Sequence, residues 1–262
     1  MSAVSFRARV LQALLPALQA EPRLLACWEG GSVATGRADA FSDIDLCLVA
    51  DADQTTAAFA TVEAALAAVA PIAHTWRVEP AAFPHLSQRF YLLAGAPPFF
   101  AVDCSVLTPA GVAQFMERER HGEPVVYFDR CGLIASRALD RDAHAEKMRR
   151  RFEQIRAAWP VYRMLVEKEL ARGRALDAIG FYLNGVLRLL VELTGLRFRP
   201  ARFDFGWRYL HHDVPAEIQQ QLRSFACFGS HECIGALLPE FDALAARLIG
   251  EIEAQRAGPC AE

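Results

Sequence analysis

The 262-residue chain contains no run of eighteen uninterrupted apolar residues, so it shows no membrane-spanning helix of that kind. It also has no Cys-x-x-Cys pair. Its seven cysteines, Cys27, Cys47, Cys104, Cys131, Cys227, Cys233 and Cys260, are odd in number, which argues against both a disulfide framework and a zinc ribbon. A reducing cytoplasm fits this usage, with Cys27, Cys47 and Cys104 read as small buried side chains inside apolar runs. An excess of positive charge is missing too: the formal net charge is -3. Proteins that grip long nucleic acids need a concentrated basic surface, so a long nucleic acid is not the expected substrate. The chain has no internal repeat and no low-complexity linker.

Hydrophobic residues make up 53% of the chain and charged residues 23%, the balance of an ordinary globular protein. The length suffices for one large domain or two modest ones with a sizeable core. Near the N-terminus, Arg7 and Arg9 precede a short apolar patch, as in a leader peptide. Gln12 and Gln19 interrupt the patch, and Val10, Leu11, Leu14, Leu15 and Leu18 recur at helical spacing, which predicts an amphipathic first helix.

Beyond that helix the pattern is strand-rich. Leu24 to Trp28 reads as a buried strand, broken by Gly30-Gly31, and Ser32 to Ala38 as one or two helical turns. A second strand is expected to begin at Asp43 and run through Val49. Thr55 to Ala70 follows as an alanine-rich helix capped by Thr55 or Thr56. Ile72 to Val78 is a third strand, and Arg89–Leu93 with Phe99–Val106 form a hairpin around Gly95-Ala96-Pro97-Pro98. From about Leu139 long helical periods take over: 140–172, 174–195, 215–228 and 235–257. The expected organisation is an α/β catalytic domain with a mixed sheet over 1–135 and an all-helical, acceptor-binding domain over 136–262, with the boundary between Gly132 and Leu139. Residues 1–135 carry 9 Lys plus Arg against 14 Asp plus Glu, whereas 136–262 carry 19 against 17.

The acidic half holds the informative segment, Trp28 to Leu46. Gly31-Ser32 ends a strand and opens a helix, so backbone N–H groups and the Ser32 hydroxyl can face an anion at the positive end of the helix dipole. Asp43 and Asp45 are two apart on a strand and therefore share a face, while Ile44, Leu46 and Leu48 take the other. Asp103 is a lone carboxylate between Val102 and Cys104, costly to bury without a partner, and a metal is the partner expected. Three carboxylates on neighbouring strands can hold two Mg2+ ions about 3.5–4 Å apart, one at an acceptor oxygen and one at a triphosphate.

Gly31-Ser32, ten residues, Asp43-Ile44-Asp45, and a later apolar-Asp-apolar strand at Asp103 closely resemble the nucleotidyltransferase superfamily related to DNA polymerase beta. The phrase Ser42-Asp43-Ile44-Asp45-Leu46 is similar to that of its antibiotic-modifying and minimal members. The resemblance implies that Ser32 contacts phosphate within a nucleotide site that includes Gly31, Arg37 and Ser42. It implies that Asp43 and Asp45 bind the metals and that Asp103 is a third ligand or general base. Where many relatives place Arg soon after the Ser, this chain has Thr35, with Arg37 two places later. The order of the whole chain looks like the aminoglycoside and lincosamide nucleotidyltransferases, with Gly122 to Gly132 as a closing strand and turn. The expected reaction is transfer of a nucleoside monophosphate from a triphosphate, ATP favoured, to a hydroxyl of a small acceptor such as an antibiotic. Mg2+ is the expected cofactor and Mn2+ a substitute. The rivals are a nucleotide-sensing or protein-binding module on the same fold, and an enzyme acting on a protein or an RNA end.

Other features read as structural. Arg149-Arg150-Arg151 with Lys147 is a solvated helix face. His211-His212-Asp213 and His231 to Cys233 lack a second ligand pair at metal-binding spacing. Phe203, Phe205, Trp207 and Tyr209, interleaved with Arg202, Asp204 and Arg208, suit core packing first and an acceptor pocket second. Tyr182, Asn184 and Glu123 could face a cleft but carry no diagnostic spacing.

Overall fold

The structure, a computed structural model, describes residues 3–257, and the chain divides into two compact units, Met1–Leu139 and Asp140–Glu262. Cys260 lies outside the described residues.

The first unit is built on a six-stranded mixed sheet. Its strands are β1 (Leu24–Glu29), β2 (Ile44–Ala50), β3 (Ile72–Arg77), β4 (Leu86–Leu93), β5 (Val102–Leu107) and β6 (Val125–Asp129), in the order β3-β4-β5-β2-β1-β6. Among the described strands β2 and β5 run parallel, and the other four pairings are antiparallel. The helices are α1 (Ala3–Ala20), the single turn α2 (Gly31–Ala34), α3 (Thr55–Val69) and the short α4 (Arg118–His121).

Period-two alternation sorts the sheet into two faces. Ile44, Leu46 and Leu48 of β2 join Val10, Leu14 and Leu18 of α1 and Phe59, Val62 and Leu66 of α3 in one buried cluster. Each such apolar side chain contributes about 1.5–3 kcal/mol when fully buried, so this face holds the unit together. On the other face Val49, Leu107, Leu86, Ala26 and Trp28 form a smaller cluster with Val112 and Met116, and Asp45, Asp103, Ser105 and Gln88 stand on the same face.

Local chemistry shifts two helix starts. Thr55 and Thr56 are the first residues of α3 and do not cap it, because a 3-10 turn over Ala52–Gln54 places Gln54 at the cap and uses the Thr55 hydroxyl on the Ala52 carbonyl, 3.0 Å away. In the second unit, α10 begins at His231, ahead of Gly235.

That second unit packs α5 (Arg141–Ala171), α6 (Ala175–Phe181), α7 (Arg188–Phe198), α8 (Leu210–Asp213), α9 (Ala216–Ala226) and α10 (His231–Ala257) around their own core. Asp140 caps α5 by accepting the Ala143 N–H at 3.0 Å. Between α6 and α7 the chain makes a π-helical turn, Tyr182–Leu187, where a Cβ on Gly185 would stand 2.4 Å from the Tyr162 ring. The stretch Ala175–Phe198 is long and apolar enough to cross a membrane by length and composition, and Val186, Leu189, Leu190 and Leu193 from it lie in the core of this unit. Tyr182 does not face a cleft: it is buried, and its hydroxyl donates to the Phe225 carbonyl at 2.8 Å. Asn184 is exposed and donates to the Gly180 carbonyl.

Candidate active site

The parallel pairing of β2 with β5 sets Asp45 directly opposite Asp103, with Ile44 opposite Val102 and Leu46 opposite Cys104. Residues opposite each other in register project to the same face, so both carboxylates stand on the polar face. Asp43 precedes β2 and is half-buried; it lies just outside the strand that was expected to begin there.

At the end of β1 the backbone turns sharply. Gly31 takes a left-handed φ of 56°, and a Cβ on it would lie 1.6 Å from Asp45 Oδ2. The turn is tied to β2 by the Gly30 N–H, which donates to the Asp45 carbonyl at 2.9 Å. Only glycine lets the turn press against that carboxylate. Ser32 follows, with its Oγ buried and without a hydrogen-bond partner among the described residues. Nature rarely leaves a buried hydroxyl unsatisfied, and the position suits a ligand oxygen. Because α2 is a single turn, its dipole is that of one turn, and the anion-binding capacity rests on local N–H groups and Ser32.

The turn is braced on both sides. The Glu123 N–H donates to the Ala34 carbonyl at 2.9 Å, and Gly122, at φ 80°, approaches so closely that a Cβ would sit 2.2 Å from that oxygen. Glu123 itself is exposed and pairs with Arg118 at 3.5 Å. On the opposite sheet face Glu29, 1% exposed, accepts from the Tyr127 hydroxyl at 2.6 Å and pairs with Arg7, fixing the strand end that leads into Gly30. Burial, then this hydrogen bond, push the Tyr127 hydroxyl well above its ordinary pKa.

The expected nucleotide residues divide. The Arg37 N–H closes the turn on the Ser32 carbonyl at 2.8 Å and keeps Arg37 beside the site. Ser42 is committed to a local turn: its Oγ accepts the Asp39 N–H at 2.9 Å and donates to Asp39 Oδ1 at 3.1 Å.

Asp103 has a protein partner that sequence reading missed. The Gln88 amide donates to both of its oxygens, at 2.7 and 2.9 Å. Gln88 sits opposite Ser105 on the antiparallel neighbour β4, one step along the same face. The site is strongly acidic in character: burial first, then the charge of Asp103, with Cys104, Asp45 and Glu29 behind, raises the Cys47 thiol well above its usual value.

Among the described residues no group of three His, Cys, Asp or Glu side chains stands ready to hold a metal ion. The donor chemistry nonetheless fits a hard divalent cation, since two facing carboxylates offer only oxygen ligands. Accepting from Gln88 uses part of the lone-pair capacity of Asp103, because an ionised carboxylate has about four acceptor sites.

The remaining candidates resolve as structure. Arg149 and Arg150 pair with Glu146, and Arg151 with Glu192. His211 and His212 are exposed and belong to no metal group among the described residues. Phe203 is buried in the helical core, and buried Arg199 donates to the Gly206 and Arg208 carbonyls, organising the turn that carries exposed Trp207.

No family model and no curated protein sequence matches the chain. Solved structures similar to it include an aminoglycoside 6-adenyltransferase from Bacillus subtilis, at 13% identity and a TM-score of 0.38 over 96% of this chain and 90% of that one. Another is the spectinomycin adenyltransferase AAD(9) from Enterococcus faecialis with ATP and spectinomycin, at 11% identity and 0.35 over 95% and 99%.

Proposed function

We propose that the chain is a nucleotidyltransferase that moves a nucleoside monophosphate from a nucleoside triphosphate, ATP favoured, to a hydroxyl of a small acceptor. The observation that carries this reading is the juxtaposition of Asp45 and Asp103 in register beside a Gly31-Ser32 turn whose buried hydroxyl lacks a partner. Ser32 and the N–H groups of the turn would receive phosphate oxygens. The facing pair Asp45 and Asp103 would hold Mg2+, which when bound would neutralise phosphate charge and favour the ionised acceptor oxygen. The acceptor oxygen forms a bond to the α-phosphorus, the bond to the α–β bridging oxygen breaks with its electron pair, and pyrophosphate leaves. Asp103, held in orientation by Gln88, takes the hydroxyl proton. Positioning and charge stabilisation are then the main tasks of the protein.

Labelled nucleoside triphosphates incubated with pooled antibiotics, sugars and proteins, read by mass spectrometry, test the proposal. A mass gain of one nucleoside monophosphate on a small acceptor, with pyrophosphate released, is expected. Nucleotide binding without any transfer would turn the assignment to a nucleotide-sensing module.

A further inference from the structure

Two exposed phenylalanines stand where the chain enters the acidic site. Phe41 is 69% exposed and Phe99 80%, yet their rings meet, with centroids 6.2 Å apart and planes tilted by 58°. Phe41 lies four residues before Asp45, and Phe99 four before Asp103. Because β2 and β5 are parallel and in register, the segments leading into them arrive side by side, tied by the Ile44 N–H donating to the Ala101 carbonyl at 3.1 Å. Four residues reach at most about 14 Å, so one nucleotide can span the distance from the carboxylates to the rings. The backbone makes the display of Phe99 costly. It holds a left-handed φ of 68°, which a bulky residue rarely adopts, while Phe100 beside it is buried edge-on against Phe6. Strain of this kind concentrates at ligand sites, and so exposed a ring contributes little to folding that would offset it.

The geometry of displacement selects the occupant. The Gly31-Ser32 turn adjoins β2 on the β1 side, and Asp103 stands on the β5 side. The line from departing pyrophosphate through phosphorus to attacking oxygen therefore runs across the strands. The nucleoside oxygen is an equatorial substituent of that phosphorus, so the nucleoside extends at right angles to the line. Along the strands the face is filled in one direction: beyond Cys47 and Ser105, the facing pair Val49 and Leu107 is buried with Val112 and Met116. The other direction leads to Phe41 and Phe99.

Resting on the nucleotidyltransferase reading, we propose that Phe41 and Phe99 form the seat of the nucleobase, which stacks on their exposed surfaces. The two segments also set its selectivity. Residues 38–42 and 96–101 supply Ala, Pro and Phe, and their polar side chains, Asp39 and Ser42, bond to each other at 3.1 Å. They offer ring faces in preference to side-chain hydrogen bonds for a base edge. Stacking accepts any base, because each has a π-face. The seat thus grades nucleotides by ring area, purine above pyrimidine, and separates adenine from guanine weakly.

The test is calorimetry on the full chain with Mg2+ and, in turn, ATP, GTP, CTP, UTP and inorganic triphosphate, which carries the phosphates without a nucleoside. Phe41→Ala and Phe99→Ala should each weaken ATP about 5- to 50-fold, the scale of a lost base–aromatic stack, and leave inorganic triphosphate within about twofold. Phe41→Tyr should recover most of the loss. In the unaltered protein GTP should bind within about tenfold of ATP, and the pyrimidine nucleotides more weakly than either. Melting temperatures check that these surface changes leave folding intact. Equal weakening of ATP and inorganic triphosphate, no weakening of ATP, or a preference between ATP and GTP beyond about tenfold, the mark of a base edge read by hydrogen bonds, would overturn the seat. With MgATP still bound by the unaltered protein, each of these results leaves the transferase reading standing. Binding of no triphosphate at all would overturn both.

Discussion

Gly31 lies so close to Asp45 that a single added carbon would sit 1.6 Å from Oδ2. Gly31→Ala therefore has two effects: it strains a residue with φ 56°, and it pushes the carboxylate out of its place. The strain costs on the order of 1 kcal/mol, which lowers the melting temperature by a few degrees at most. The loss of function should be far larger. Nucleotide binding measured by calorimetry should vanish in a protein that still unfolds cooperatively.

A triphosphate and magnesium bound only by the folded protein should raise its melting temperature, since saturation at 100 times Kd contributes about 2.7 kcal/mol. The doubly changed Asp43→Asn/Asp45→Asn protein should lose this shift. Equal shifts in both proteins would place the cation elsewhere.

Asp103→Asn should retain most nucleotide affinity and lose turnover by about 10²–10⁴-fold, the range for a positioned acid or base. Gln88→Leu removes the donor to both Asp103 oxygens and should give an intermediate loss, confined to kcat. Gln88→Glu should do worse than Gln88→Leu, because it sets a second negative charge against the first. Steady-state kinetics on the three variants decide the order.

Asp129 gives a pH-dependent handle on the first unit. Desolvation alone would raise its carboxyl, but N–H groups of Ile134, Leu133, Cys131 and Gly132 together hold it below the usual value. A depressed folded-state pKa stabilises fully above the unfolded value near 3.9 and is lost as pH falls through the folded one. The difference in melting temperature between the unaltered protein and Asp129→Asn should therefore be constant from pH 7 to about 5 and close toward pH 3.

The helical unit has its own core, so residues 140–257 expressed alone should fold. In that fragment Tyr182→Phe deletes a buried hydrogen bond to the Phe225 carbonyl and should cost about 1–2 kcal/mol in urea unfolding.

Much of this architecture is legible in the sequence, for reasons that differ by residue. The alternation of Ile44, Leu46 and Leu48 with acidic and small residues announces β2 and its two faces, because that information is local. The mixed sheet followed by helices is likewise readable from runs and periods. Gln88 is not. Its meeting with Asp103 depends on the antiparallel register of β4 on β5, which no single segment encodes. Ser42 sits in the informative segment, and its hydroxyl engages a nearby partner, Asp39, a contact that spacing alone does not announce. The π-helical turn at Tyr182–Leu187 also escapes a 3.6-residue period, because Tyr162 pressing on Gly185 is a tertiary contact.

The parallel pairing of β2 with β5 has a kinetic consequence. A parallel strand cannot be reached by a tight turn, so β5 meets β2 only after α3, β3 and β4 have been laid down, and contacts between such distant segments form late. Asp45 and Asp103 are thus kept apart until the sheet is nearly complete. A nascent or nicked chain ending before β5 has the phosphate turn but only half of the carboxylate pair, so binding competence should emerge in refolding experiments with the last sheet amides to gain protection.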